Sequence, residues 1–294
     1  MVSQRARAEW ALAAVTMVWG TSFTLVQGAI ADAPVLSFLS VRFTMATGVL
    51  WAAHRLGGGT VAGIAAAVRP GLAAGLVLAL AYLLQTHGLL HTTPSKSAFL
   101  TSLCVVLVPF LGSLVHKSVP RPFEALGVAM AMIGMGLMTL PGESLEWNPG
   151  DLLTLGCAVA FAIHILTVGR FARRTDPVAF ILVQAAAAAA VFWFGRAISA
   201  PDPVRWTGRL LLALGVTSVL CTALAYSVQA WAQRQSSSTR TALIFSLEPV
   251  AAAATSYVVA GESLPPRGLL GAILILGGVL LVDAGPPRNE KPVE

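Results

Sequence analysis

The stretches 81-AYLLQTHGLLHTTPSKSAFL-100 and 225-AYSVQAWAQRQSSSTRTALI-244 lie 144 residues apart and carry the same marks in the same order. Tyr82 falls on Tyr226, Gln85 on Gln229, Lys96 on Arg240 and Ala98 on Ala242. Further along, Gly127 falls on Gly271 and Gly134 on Gly278 at the same offset of 144, while Ser118-Val119-Pro120 matches Ser263-Leu264-Pro265 at 145. An ordered, near-constant offset is the mark of an internal duplication.

Each stretch joins two long apolar runs, and such runs recur along the whole chain. A bilayer core about 30 Å thick needs about 20 apolar residues as helix. The runs are Trp10–Ile30, Pro34–Ala53, Gly71–Leu90, Ser97–Val115 and Phe123–Leu140, then a polar break with Glu143, Glu146, Asn148, Pro149 and Asp151. Leu152–Gly169, Val178–Gly195, Leu210–Gln233, Thr241–Ala260 and Gly268–Ala284 follow. The reading is an all-α integral membrane protein with ten transmembrane helices. Residues 1–142 form a first five-helix repeat, 143–148 a connecting loop, 149–284 a second repeat and 285–294 a short cytoplasmic tail. Five is odd, so the second repeat is inverted relative to the first, and inverted repeats enclose a solute site near the midplane.

Composition agrees. Of 294 residues 56% are hydrophobic and 11% charged, against about 25% charged in soluble domains; mean hydropathy is +0.77. The net charge of +6 does not point to nucleic acid. With the N-terminus inside, the inner segments hold thirteen Lys and Arg and the outer ones five, which sets both termini in the cytoplasm. A multi-pass protein of a bacterial-type plasma (inner) membrane, monomer or homodimer in the lipid bilayer, is expected. Cys104, Cys157 and Cys221 sit apart in apolar runs, which excludes a disulfide framework. The scattered histidines lack metal-ligand spacing, and no cofactor is expected.

With no GxxxxGK[ST] loop, ATP-driven pumping within this chain is excluded. A secondary transporter working by alternating access on a small-molecule substrate is the leading reading. A pore-like channel or facilitator is the alternative. A membrane-embedded enzyme ranks below both, because paired aspartates, GxS near histidine and HExxH are all missing.

Candidate site residues follow from polarity at membrane depth. Glu248 stands mid-span beside Pro249, where a charge needs a cavity or a partner. A carboxylate buried without a partner holds its proton to higher pH than one in water, so Glu248 is a candidate for coupling; capping backbone freed by Pro249 is the other reading. Pro109 and Pro249 mark expected helix breaks. They do not align under the repeat, so the two halves are expected to diverge there. Tyr82 with Gln85 and Tyr226 with Gln229 each share a helix face, suited to an amphipathic solute or to interhelical hydrogen bonds. Trp19, Ser22 and Phe23 share a face of the first helix, and His164 falls near Ser22 in the second repeat, whereas His87 points away from Gln85. Three roles are open to Arg42: snorkelling, pairing with Glu248, or binding a substrate carboxylate. Lys96 either attracts anions at the cavity mouth or is a solvated interface lysine. The glycines seven apart on the fifth and tenth spans read as packing, as does the Ala185–Ala190 run. Polar and aromatic candidates of this kind suit zwitterionic or amphipathic solutes.

Val18-Trp19-Gly20, Ser97-Ala98-Phe99-Leu100-Thr101 with Pro109, Ser246-Leu247-Glu248-Pro249 and Gly261-Glu262 together resemble the EamA-type branch of the drug/metabolite transporter superfamily. The resemblance spans residues 10 to 284. It implies a fold like that of YddG-like amino-acid exporters, a basket of helices around a central cavity with the fifth and tenth outside it. It also implies export of a small metabolite such as an amino acid, and it brings Phe99 among the cavity candidates. His116-Lys117 stands where the second repeat has Gly261-Glu262, a departure from the family pattern.

Overall fold

The computed structural model describes residues 3–116, 121–140, 146–199, 203–251 and 265–284. Gly261-Glu262, Lys117, the end of the ninth span, the first half of the connecting loop and the tail lie outside them. The helices are α1 (Gln4–Ile30), α2 (Val35–Leu56), α3 (Val61–Gly88), α4 (Pro94–Ser102), α5 (Cys104–His116), α6 (Pro122–Thr139), α7 (Pro149–Phe171), α8 (Pro177–Ser199), α9 (Gly208–Ser218), α10 (Ala225–Ala232), α11 (Ser238–Phe245) and α12 (Pro266–Ala284). A π-helical turn, Val219–Leu224, joins α9 to α10. Among the described residues, eight helical stretches, α4 with α5 and α9 with α10 each counted as one, are long and apolar enough to cross a membrane, and α12 holds a shorter apolar run.

The third span begins at Val61 rather than Gly71. Arg69-Pro70 reads as a stop, yet Pro70 is buried within the helix, whose alanine-rich first turns continue without it. Both connections end in N-caps: Thr93 Oγ1 accepts the Lys96 N–H and Ser237 Oγ that of Arg240, each satisfying an orphan donor of the helix start.

The packing is reciprocal. α1 lies against α9, α10 and α11, while α7, the first helix of the second half, lies against α3, α4 and α5; α2 pairs with α8, and α6 with α12. Exchanging the halves carries the packing of α1 on α9, α10 and α11 onto that of α7 on α3 and α4 and returns the α2–α8 and α6–α12 pairs to themselves, as a pseudo-two-fold requires. On α6 and α12 the glycines let the backbones meet. A Cβ on Gly134 would stand 2.5 Å from Gly271 O, and one on Gly127 2.8 Å from Gly278 O. Outward residues such as Leu76, Phe194 and Leu280 are exposed, as a lipid-facing surface demands, and Trp10, Trp147 and Trp206 stand exposed near helix ends as in an interfacial belt.

Two buried apolar clusters make up the core. One is built on α2, α3, α8 and the end of α1, the other on α5, α6, α7, α11 and α12, and Trp19 and Phe161 pack against both. The cavity lies where the clusters meet.

Candidate functional site

The helix breaks shape this cavity, and they correct the expectation of divergence. The fourth span breaks at Leu103, whose N–H bonds to Leu100 O at 3.2 Å; the ninth breaks at Ser246-Leu247, where Leu247 N–H bonds to Ile244 O at 3.0 Å. Leu103 and Leu247 are 144 residues apart, so the halves agree here although their prolines do not. Pro249 lies just past its break. Pro109 does not break its span: it sits inside α5, where an i→i−4 bond is lost but the helix runs on.

The cavity holds about 850 Å³ of space outside the atoms, part of it open to solvent, and both halves line it. The part of it that the centre of a water molecule can occupy is about 80 Å³. Tyr226 OH donates to Tyr82 OH at 3.0 Å. These residues are repeat equivalents, and equivalent residues that touch must straddle the two-fold axis, so this hydrogen bond marks it. Around the axis the rings form a continuous wall. Trp19 meets Tyr226 at 5.6 Å and Phe245 at 5.0 Å between centroids, and Phe161 meets Tyr82 edge-on at 5.6 Å. Such tilted and edge-to-face contacts are the favoured aromatic geometry.

Polar groups complete the lining. Trp19 Nε1 donates to Cys221 O at 2.8 Å, a carbonyl in the π-helical turn. Gln85 Nε2 donates to Thr101 Oγ1 at 3.3 Å, and Gln229 Nε2 to Gln233 Oε1 at 3.0 Å. His164 Nε2 donates to Gln184 Oε1 at 2.9 Å, and its ring meets Tyr226 edge-on. Arg42, buried, donates from Nε to Thr222 Oγ1 at 3.0 Å and from Nη2 to Tyr82 OH at 3.1 Å. Glu248 is half-buried on the lining, one turn beyond Phe245, with no hydrogen-bond or ion-pair partner among the described residues.

Of the residues singled out in the sequence, the structure brings Trp19, Ser22, Phe23, Arg42, Tyr82, Gln85, His164, Tyr226, Gln229 and Glu248 to one cavity. Two stand elsewhere. Phe99 packs on α6, with Cε2 3.7 Å from where a Cβ of Gly136 would be, because its position in α4 faces out of the bundle. Lys96 is neither solvated nor an anion trap: it is buried, with Nζ 2.7 Å from Asp151 Oδ2 and donating to Glu146 O at 2.9 Å. Its repeat equivalent Arg240 stands 3.7 Å from Glu9, so each half offers a cation to the first helix of the other, at opposite membrane faces. His87 turns back to Leu83 O at 2.9 Å. Sequence reasoning missed Phe161, Thr222 and Gln184. Neither Phe161 nor Thr222 is distinctive in an apolar span; Gln184, a lone amide in an alanine run, was legible as polarity at membrane depth.

Relatives fit this architecture. The model of the EamA-like transporter family matches twice, over residues 7–140 and 148–283. An uncharacterized transporter of Archaeoglobus fulgidus is 32% identical over 289 residues, 95% of this chain and 87% of that one. The threonine/homoserine exporter RhtA of Salmonella typhimurium is 29% identical over 180 residues, 59% of this chain and 60% of its own. A crystal structure with 18% identity superposes with a TM-score of 0.81 over 95% of this chain and 98% of that chain, a likeness of fold. Two matched halves, membrane helices in inverted repeats and a central cavity agree: the chain belongs to the EamA-like transporter family and is a multi-pass membrane transporter.

Proposed function

We propose that the protein is a secondary carrier that exports a small amphipathic solute of the amino-acid type by alternating access around the Tyr82–Tyr226 axis. The observation that carries this reading is a cavity lined by both repeats, aromatic along its wall and holding, among the described residues, one cation, Arg42, and one carboxylate, Glu248, that do not pair with each other. A site with separated opposite charges and an aromatic wall matches a zwitterion with an apolar body. The relation to threonine/homoserine exporters over 59% of the chain supports the solute class and the outward direction. The distribution of Lys and Arg supports cytoplasmic termini in a bacterial-type plasma membrane.

The test is counterflow in proteoliposomes loaded with mixed amino acids and related metabolites, read by mass spectrometry with and without a pH gradient. Saturable exchange of a few amino acids is the expected result. Flux that neither saturates nor supports counterflow means a pore and refutes the carrier. If a pH gradient drives exchange, Glu248→Gln abolishes that dependence; unchanged dependence removes Glu248 from coupling.

A further inference from the structure

We propose that Arg42 is the anchor for the substrate's carboxylate, and so the residue by which the cavity distinguishes carboxylic acids from their uncharged derivatives. The inference rests on the transport reading above. Arg42 lies two turns into α2, within the membrane, and is 3% exposed. A buried cation is ordinarily matched by an anion. Here the partners are neutral: the Thr222 hydroxyl, the Tyr82 hydroxyl and the Tyr82 ring, whose centroid is 4.6 Å from Cζ. No carboxylate among the described residues reaches ion-pair distance of it, Glu248 included.

The two hydrogen bonds engage Nε and one N–H of Nη2. A guanidinium has five N–H groups in a planar fork, so three remain, both of those on Nη1 among them. Thr222 and Tyr82 fix the plane of the fork, and a fork held this way is the geometry that takes a carboxylate through two parallel hydrogen bonds. The group lines the cavity, so a solute supplies what the protein does not. A second vacancy matches the other end of a zwitterion. Gln229 Oε1 is buried on the same cavity without a hydrogen-bond partner among the described residues, an acceptor for an ammonium N–H. An uncharged amide or ester of the same solute leaves the arginine uncompensated in a site poor in water, and binds correspondingly worse.

The experiment is counterflow by wild type, Arg42→Gln and Arg42→Lys, using each transported amino acid and its carboxamide as competing substrates. Wild type is expected to prefer the acid over the amide by at least about tenfold in kcat/KM. Arg42→Gln brings that ratio near one, mainly by raising KM for the acid. Arg42→Lys, which keeps the charge and loses the fork, falls between. Thr222→Val, which removes the acceptor at Nε, lowers the ratio in the same direction and serves if the Arg42→Gln protein does not fold. A ratio that stays at the wild-type value in these variants, with both substrates weakened alike, overturns the anchor and leaves the carrier standing. Wild type that exchanges no carboxylate-bearing solute, or prefers the amide, overturns the anchor, and in the first case the amino-acid reading with it.

Discussion

Replacing Asp151 by Asn removes one partner of a buried ion pair. Asp151 is fully buried, and its carboxylate accepts from Lys96 Nζ at 2.7 Å, Thr92 Oγ1 at 2.9 Å and the Asn148 N–H at 3.0 Å. At 2.7 Å and an effective dielectric near 20, the Coulomb attraction to Lys96 is about 6 kcal/mol before desolvation is subtracted. Asparagine keeps an oxygen for Thr92 or for the helix cap but turns an amide toward the ammonium, leaving Lys96 buried and unmatched. Removing one member of such a pair costs about 3–5 kcal/mol. Removing both charges costs less than the sum of the two single losses, since neither ion is then stranded. The measurement is a denaturant titration in mixed micelles of wild type, Asp151→Asn, Lys96→Met and the double variant. The expected single loss is about 3 kcal/mol or more, with a coupling above about 1.5 kcal/mol, within the range for residues in contact. Single losses under about 1 kcal/mol, or strictly additive ones, refute the reasoning and make the pair equivalent to a solvated one.

Three further outcomes are expected. In the α1–α2 loop Asp32 accepts from Thr207 Oγ1 at 2.7 Å and from Arg209 Nη2 at 2.8 Å, and these hydrogen bonds, Thr207 first, hold its pKa below the ordinary value. A carboxylate with a lowered folded-state pKa stabilises fully above its unfolded value near 4 and loses that contribution as the pH falls through the folded value. The melting-temperature gap between wild type and Asp32→Asn is therefore constant from pH 7 to 5 and closes below pH 4; a gap unaffected by pH contradicts the assignment. Gly134→Ala places a methyl against the Gly271 carbonyl and destabilises by about 1–3 kcal/mol, whereas Gly136→Ala, whose Cβ meets Phe99 Cε2 at 3.7 Å and Leu140 Cδ1 at 3.8 Å in ordinary contact, is neutral or slightly stabilising in the same titration. Gln85→Leu lowers transport by up to about tenfold, the worth of one hydrogen bond. His87→Leu, off the cavity, has little effect, and equal losses refute the assigned helix face.

The bilayer made the fold readable, because a span must be long, apolar and helical wherever it crosses. The site was readable to the extent that its residues are polar where polarity is costly: Arg42, Gln85, His164, Gln229 and Glu248 announce themselves on those grounds. Lys96 carries the same signal and was misplaced, since polarity does not say whether a partner waits in another helix; Asp151 lay in the break, where acidic residues are ordinary. Phe99 enters only through a motif, and a ring one residue off the facing stripe points to a neighbouring helix instead. The break at Leu103 has no proline at or next to it, so nothing in composition marks it. Its equivalence to Leu247 emerges only when the two backbones are compared.

The π-helical turn Val219–Leu224 bears on how this chain tolerates improvement. Its wider spacing lets Thr222 Oγ1 donate to Thr217 O, five residues back, at 2.8 Å while accepting from Arg42, and it presents the Cys221 carbonyl to Trp19. Rewinding its six residues as regular α-helix, which local propensity favours, would rotate everything beyond by about 100°. Tyr226 and Gln229 would then leave the cavity together. A redesign that rewards helical regularity would select that rewinding, and its product would be a sturdier span around an empty basket.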